Sequence, residues 1–94
     1  MEIKVELEKQ PVKYLNKCDS KTYNKLMDAL EGLKKLDGDI KHLQGTQTYR
    51  LKVKSYRILF TRDIKDSKSK EKIQVLAVYR IGPRGDVYKK GGFR

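Results

Sequence analysis

All six arginines of this 94-residue chain lie in its second half, together with eight of its seventeen lysines. Residues 48–94 therefore hold most of the net charge of +11, whereas residues 1–47 are nearly neutral. A guanidinium group is a planar fork that matches the oxygens of a phosphate. The charge favours a polyanionic partner over the substrates of an ordinary neutral metabolic enzyme. The second half of the chain is therefore where we expect phosphate chemistry.

Three cations at the start of this half alternate with apolar residues. Arg50, Lys52 and Lys54 are each separated from the next by one apolar side chain. Because successive side chains of a strand point to opposite faces, this pattern predicts that the three cations share one face. A tight turn follows, and it should bring Arg57 close to the same row. The pattern thus predicts one cationic face on a small sheet.

Arg84 and Tyr88 follow the apolar run of residues 73–81, and should reach the same face if that run neighbours the other strands. Such a group can act on RNA, because cleavage by the ribose 2′-hydroxyl needs a base, an acid and cations that stabilise the phosphorane charge. A lysine crowded by like charges can have a lowered pKa and serve as the base. Arginines would hold the phosphorane, and Tyr88 would stack on a nucleobase or take part in proton transfer. The same residue types also suit plain phosphate binding without cleavage, and on their own they favour it.

The composition excludes several other kinds of site. Cys18 is the one cysteine, which excludes an internal disulfide framework and a cysteine-based zinc site. His42 is the one histidine, which excludes a two-histidine ribonuclease mechanism and a cluster of histidines around a metal. We therefore expect no metal and no cofactor. The chain has no apolar run long enough to span a membrane and begins in a strand-like alternation, so we expect a cytoplasmic protein.

The first half predicts one strand and two helices. Residues 2–8 alternate between polar and apolar side chains, a pattern typical of a half-buried strand. Pro11 suits the first turn of a short helix, and Asp19 or the serine after it suits the N-cap of a second. The second helix should end near Gly38, and residues 39–47 are interpreted as a loop or a partial turn of helix. The apolar stripe of the second helix consists of Tyr23, Leu26, Met27, Leu30 and Leu33.

The second half predicts three strands, and the last of them is apolar on both faces, which is usual for a strand with neighbours on both sides. The strands cover residues 49–54, 56–61 and 73–81, with a turn near Ser55 and a flexible polar loop over 65–72. The element order β-α-α-β-β-β predicts an α+β fold, in which a helical hairpin covers one face of a small antiparallel sheet. The other face would be open and would carry the arginines. The length predicts a single domain over 1–94, with 89–94 as a flexible basic tail.

Several segments, in this order, resemble the RelE/ParE superfamily of toxins from type II toxin–antitoxin systems. They are the opening strand over 1–8, the helical hairpin, His42-Leu43-Gln44-Gly45, the stretch from Tyr49 to Phe60, and the closing Ile81-Gly82-Pro83-Arg84-Gly85-Asp86-Val87-Tyr88. The resemblance covers nearly the whole chain and is greatest to the RelE-like branch. It implies a ribosome-dependent endonuclease that cuts mRNA in the ribosomal A site without a metal and arrests translation. It also implies a cognate antitoxin that wraps around the toxin, and a toxin that is monomeric when alone.

The resemblance assigns roles to individual residues. Lys52 matches the proposed base, Arg57 the arginine that binds and activates the phosphate, Arg84 the closing arginine, and Tyr88 the tyrosine that stacks on a base. The other cations, Arg50, Lys54, Lys89 and Lys90, would bind RNA. The sequence departs from RelE itself at three points: Arg50 replaces a lysine, Pro83 replaces a histidine found in several relatives, and the spacing from Arg84 to Tyr88 is shorter.

Two other functions remain open at this point. The ParE branch shares the fold, lacks a comparable nuclease centre and poisons DNA gyrase. A member of the superfamily that has lost catalysis would be a basic RNA-binding module. Arg57, Arg84 and Tyr88 together favour the endonuclease.

Overall fold

The computed structural model describes residues 2–66, 71–85, 87 and 93–94. They form two helices and five strands. In chain order these are β1 (Glu2–Leu7), α1 (Lys9–Lys17), α2 (Ser20–Leu33), β2 (Asp39–His42), β3 (Thr48–Val53), β4 (Tyr56–Asp66) and β5 (Lys72–Pro83). The α+β class and the pair of consecutive helices are confirmed. Neither helix has the length and apolar character of a membrane span, within the residues that the structure describes.

The strands form one mixed sheet in the order β1-β5-β4-β3-β2. The last strand, β5, has neighbours on both sides, as its apolar pattern predicts. The expectation of a purely antiparallel sheet is wrong, because β1 runs parallel to β5, with Glu2 opposite Ile73 and Leu7 opposite Val78. A parallel pair needs a long crossover connection. Here the connection consists of all the chain between β1 and β5, including both helices. The alternating pattern of β1 does not indicate in which direction this strand runs.

The segment after α2 also differs from the prediction of a loop or partial helical turn over 39–47. Residues 39–42 form β2, an edge strand that pairs antiparallel with β3 and places Ile40 opposite Leu51. The strand has one apolar residue between charged neighbours, which is too little for a periodic signal. Its exposed charged side chains are typical of an edge strand that must not pair with another chain.

Gly38 does not end α2, which stops at Leu33. The chain reverses through Leu36, which has φ 52°, and Gly38 then leads into β2 with φ 116°. A Cβ atom on Gly38 would lie 2.8 Å from Cδ1 of Leu51, a residue of the core. Gly38 is therefore needed both for its backbone angle and for the close approach of the chain to β3.

The core lies between the two helices and one face of the sheet. Asp19 caps α2 as predicted, because its carboxylate accepts a hydrogen bond from the Thr22 amide at 3.0 Å. Tyr23 does not join the predicted core stripe, since 40% of it is exposed. The buried side chains between the helices and the sheet include Leu26, Leu30, Leu33, Leu51, Ile58, Phe60, Leu76 and Val78.

Helix α1 is held against β5 where β5 extends beyond its partner β1. That pairing ends at Val78, so the backbone of Ile81 has no β1 partner. The Gln10 side-chain amide takes its place: Nε2 donates to the Ile81 carbonyl at 3.0 Å, and Oε1 accepts from the Ile81 amide at 2.9 Å. The hairpin of β4 and β5 also extends to Asp66 and Lys72, which shortens the loop predicted over 65–72.

We predict that Gly38→Ala lowers the free energy of unfolding by more than Gly45→Ala, in urea titrations of both variants. Each glycine has a positive φ, and a side chain there costs about 1–3 kcal/mol in backbone strain. The two sites differ in space, because a Cβ on Gly45 meets nothing within 4 Å whereas one on Gly38 meets Leu51. Equal losses would show that the contact with Leu51 has no cost.

Candidate functional site

A cluster of four cations lies on the face of the sheet away from the helices. Leu51 and Ile58 pack towards the helices, so the side chains next to them in β3 and β4 point to the opposite face. In one row across the strands Lys52 is opposite Arg57, which is opposite Gly82. In the next row Arg50 is opposite Leu59, which is opposite a further arginine. We call the set Arg50, Lys52, Arg57 and Arg80 the basic face.

Arg57 is the most buried of these cations, with 7% of the residue exposed. Its Nη1 donates hydrogen bonds to two backbone carbonyls of the turn between β3 and β4, that of Lys54 at 2.8 Å and that of Tyr56 at 2.9 Å. Lys54 has φ 53°, an unfavourable angle for a side chain other than glycine. The two bonds brace this turn. Nε and Nη2 remain without a partner among the described residues.

Arg50 has a buried guanidinium nitrogen without a hydrogen bond. Nη1 has no hydrogen-bond acceptor among the residues that the structure describes, and Oδ1 of Asp39 lies 3.7 Å away. The two groups form an ion pair at that distance, but the distance is too long for a hydrogen bond. Leaving a buried charged donor without a hydrogen bond costs free energy, and such donors in native proteins are usually satisfied by an ordered water, an ion or a ligand. An anionic oxygen placed between Arg50 and its neighbours would supply the missing acceptor.

The predicted row of three cations on β3 is shorter than expected. Lys52 is exposed and lies on the same face as Arg50, two residues further along β3, as the pattern predicts. Lys54 does not continue the row, because β3 ends at Val53 and the left-handed φ of Lys54 turns the chain. Lys54 instead approaches Lys25 of α2, and its charge is the main cause that lowers the pKa of the Lys25 ammonium group. The backbone angle that moves Lys54 has no signature in the alternation of the sequence.

Arg84 lies at the turn end of the basic face. Its backbone amide donates to the Ser55 carbonyl at 2.8 Å, which ties the chain after β5 to the turn between β3 and β4. The Arg84 side chain is exposed. Tyr88, Lys89 and Lys90, which the sequence predicts to be site residues, lie outside the residues that the structure describes. Of the four predicted catalytic residues, the structure brings three to one end of one face: Lys52, Arg57 and Arg84.

Arg80 is a member of the basic face that the sequence analysis missed. The pairing of β4 with β5 shifts between Leu59 and Phe60, which are opposite Arg80 and Val78, so Tyr79 is an extra residue in a β-bulge. The bulge puts Arg80 opposite Leu59, and its Nη1 lies 3.4 Å from the Val87 carbonyl oxygen. Arg80 is the one charged residue of the apolar run 73–81, and this exception could have identified it as a site residue. The direction of the Arg80 side chain is set by the shift in pairing. That shift depends on both β4 and β5, so it has no local signal in the sequence.

A second cluster closes the other end of this face. Arg94 donates two hydrogen bonds to the Glu8 carboxylate, and its guanidinium carbon lies 4.4 Å from the centre of the Tyr79 ring. The carbonyl of Arg94 accepts from the Gln47 amide and the Thr48 hydroxyl. This residue of the predicted flexible tail is thus bound to the domain; of that tail, residues 89–92 lie outside the described part. The hydrogen bond from Arg94 lowers the pKa of the Glu8 carboxyl group.

No family model and no curated protein matches this chain. Within residues 2–66, 71–85, 87 and 93–94 there is no group of three or more histidine, cysteine, aspartate or glutamate side chains that could hold a metal ion. The described residues of the basic face offer guanidinium and ammonium groups that can bind an anion.

We predict that Arg57→Met lowers the free energy of unfolding by about 1–3 kcal/mol, because it removes the bonds that brace the turn and keeps the apolar stem. Urea titration measures the loss. Arg84→Ala is the matched control: its exposed side chain should matter by less than about 0.5 kcal/mol. If both variants were equally stable, the bonds from Arg57 would not brace the turn.

We also predict that acid removes the stabilising effect of the Glu8–Arg94 pair. Because the pKa of Glu8 is lowered in the folded protein, the unfolded chain binds more protons in the range between the two pKa values. The effect is complete above the usual value of 4.5 and is lost as the pH falls through the lowered value. Glu8→Gln should therefore be less stable than the wild type at neutral pH, with a difference that shrinks in acid. A difference independent of pH would contradict this.

Proposed function

We propose that this chain is the toxin of a toxin–antitoxin system, a ribosome-dependent endonuclease that cleaves mRNA in the ribosomal A site and arrests translation. The proposal combines the RelE-like segments of the sequence with one observation on the fold. That observation is the buried Nη1 of Arg50 in the basic face, which lacks a hydrogen-bond acceptor among the described residues. A phosphate of the mRNA backbone has the charge and the oxygens that this face lacks.

In the proposed reaction the cations of the face bind the scissile phosphate, and Lys52 removes the proton of the ribose 2′-hydroxyl. The 2′-oxygen attacks the adjacent phosphorus to form a 2′,3′-cyclic phosphate, the bond from phosphorus to the 5′-oxygen of the next nucleotide breaks, and that oxygen takes a proton from water. Arg50 and Arg84 stabilise the phosphorane charge. Arg57 contributes its Nε and Nη2 to the same stabilisation, while its Nη1 keeps the turn in place. Tyr88 stacks on a base of the substrate. The reaction uses no metal.

The ribosome has a necessary part in this proposal. The face has no histidine, because His42 ends β2 and its Nε2 donates to the Thr46 carbonyl at 2.7 Å. A lysine base with arginine neighbours is a modest catalyst near neutral pH, so most of the rate must come from the orientation of the 2′-hydroxyl and the phosphate. The A site supplies that orientation. We accordingly propose that the toxin acts in the cytoplasm as a monomer, and that an antitoxin with acidic or amphipathic helices neutralises it.

The test is the mapping of 5′ ends of a reporter mRNA in a cell-free translation reaction, with and without an inhibitor of initiation. We predict cuts within the reading frame that require translation. Lys52→Ala should reduce cleavage about 100-fold or more, the usual contribution of general base catalysis. Lys52→Arg should be similarly defective, because it keeps the charge and loses the proton transfer. Lys65→Ala, at an exposed lysine near the far end of β4, is the control that should cut normally.

Three results would contradict the endonuclease. Normal cleavage by Lys52→Ala and Arg84→Ala would show that these residues are not its centre. Intact mRNA with inhibited supercoiling would identify a gyrase poison of the ParE kind. Intact mRNA with salt-sensitive RNA binding and no toxicity would identify a non-catalytic RNA-binding member.

A further inference from the structure

A groove of about 730 Å³ lies at the edge of the sheet, where β2 ends. The volume is within the range of sites that bind small organic molecules, about 300–1,000 Å³. Its lining combines apolar, aromatic, amide and charged groups. The residues are Lys41, His42, Leu43, Gln44, Thr46 and Phe93.

The apolar part of the groove is anchored to the domain. Leu43 and Phe93 pack against the buried cluster of Leu59, Tyr79 and Val87, on the same side of the sheet as the basic face. The turn that carries Leu43 is fixed by its own hydrogen bonds, because the Thr46 amide and hydroxyl both donate to the Leu43 carbonyl. The groove therefore has a preformed apolar surface, which a planar ring can cover.

The polar part of the groove is fixed as well. Since a carbonyl oxygen can only accept, the bond to Thr46 requires a proton on Nε2 of His42. The ring also lies 4.8 Å from that of Tyr49, so its orientation is held on two sides. Nδ1 has no partner among the described residues. The Gln44 side chain is exposed and offers both a donor and an acceptor.

The groove continues the basic face. Ile40 packs towards the core, so Lys41 points to the opposite side of β2, and it is paired with Arg50 of β3. Lys41 thereby extends the row of Arg50, Leu59 and Arg80 by one strand, a distance of about 4.8 Å, and also lines the groove. The unpaired nitrogen of Arg50 is thus one strand away from an apolar groove with hydrogen-bonding groups.

We infer that this groove binds one nucleobase of the RNA strand whose phosphate is held at Arg50, an inference that rests on the proposed function for its choice of RNA. Lys41 binds the phosphate next to that base. Phe93 stacks on the base, as aromatic side chains do in other single-strand binding proteins. Gln44 contacts its polar edge. A nucleotide has both chemistries that meet here, an anionic phosphate and a flat ring with hydrogen-bonding edges.

The experiment measures binding of a labelled ten-nucleotide single-stranded RNA by fluorescence anisotropy, with unlabelled RNA or inorganic polyphosphate as competitors. Polyphosphate has the charge and no bases. We expect Phe93→Leu, which keeps apolar packing and loses the aromatic face, to weaken RNA binding at least about 5-fold and to leave the affinity for polyphosphate unchanged. Lys41→Ala should weaken both ligands and lower the slope of log affinity against log salt by about 0.7. Lys65→Ala, away from the groove, should change the affinity less than Lys41→Ala.

Equal losses for RNA and polyphosphate in Phe93→Leu, or no loss for either, would overturn the inference. Gln44→Ala keeps the inference testable if Phe93→Leu unfolds, because the exposed Gln44 amide has no partner among the described residues. A change in relative affinity for adenine and uracil homopolymers is expected, and an unchanged preference would overturn the inference. The mRNA cleavage assay separates the two proposals. Base-dependent binding without cleavage would refute the endonuclease alone, and cleavage with a silent groove would refute this inference alone.

Discussion

The two hydrogen bonds from Arg57 to the carbonyls of Lys54 and Tyr56 connect most of what defines this face of the protein. They brace a two-residue turn in which Lys54 has a left-handed backbone angle. Between those two carbonyls lies that of Ser55, which receives the amide of Arg84. A cation of the interior thus fixes the end of β3, the start of β4 and the chain after β5. Together these hydrogen bonds set the positions of Lys52 and Arg84 relative to each other.

Because of these hydrogen bonds, the cations of the basic face have different roles. Arg57 mainly stabilises the turn, whereas Arg50 keeps a buried nitrogen that has no hydrogen bond to any described residue. The carboxylates that pair with arginines among the described residues lie at the periphery: Asp39, on the edge strand, pairs with Arg50, and Glu8, before α1, pairs with Arg94. Like charges gathered on one face destabilise a compact state, and a small domain accepts that cost where the charges have a ligand. The charge pattern is thus better explained by binding than by stability.

The sequence was informative wherever a pattern is local. The alternation from Arg50 to Val53 predicts which side chains face the helices, and Asp19 predicts the start of α2; both are found. It failed where a feature depends on two distant segments. The parallel direction of β1, the edge strand β2 and the bulge at Tyr79 all follow from pairing, and the bulge decides where Arg80 points. The left-handed angle of Lys54 was missed for a different reason: the bond that supports it comes from Arg57, only three residues away, but the alternation of side chains carries no signal for a backbone angle.

The parallel pairing of β1 with β5 has a consequence for the order in which the molecule can form during its own synthesis. The first strand of the chain, Glu2–Leu7, is an edge strand whose partner is the last strand, Lys72–Pro83. Gly82, opposite Arg57, belongs to that late strand as well. Neither the sheet nor the cation-bearing face can close until β5 has been translated, since contacts so distant in sequence form late. A nascent chain that has not yet reached β5 therefore lacks the assembled surface.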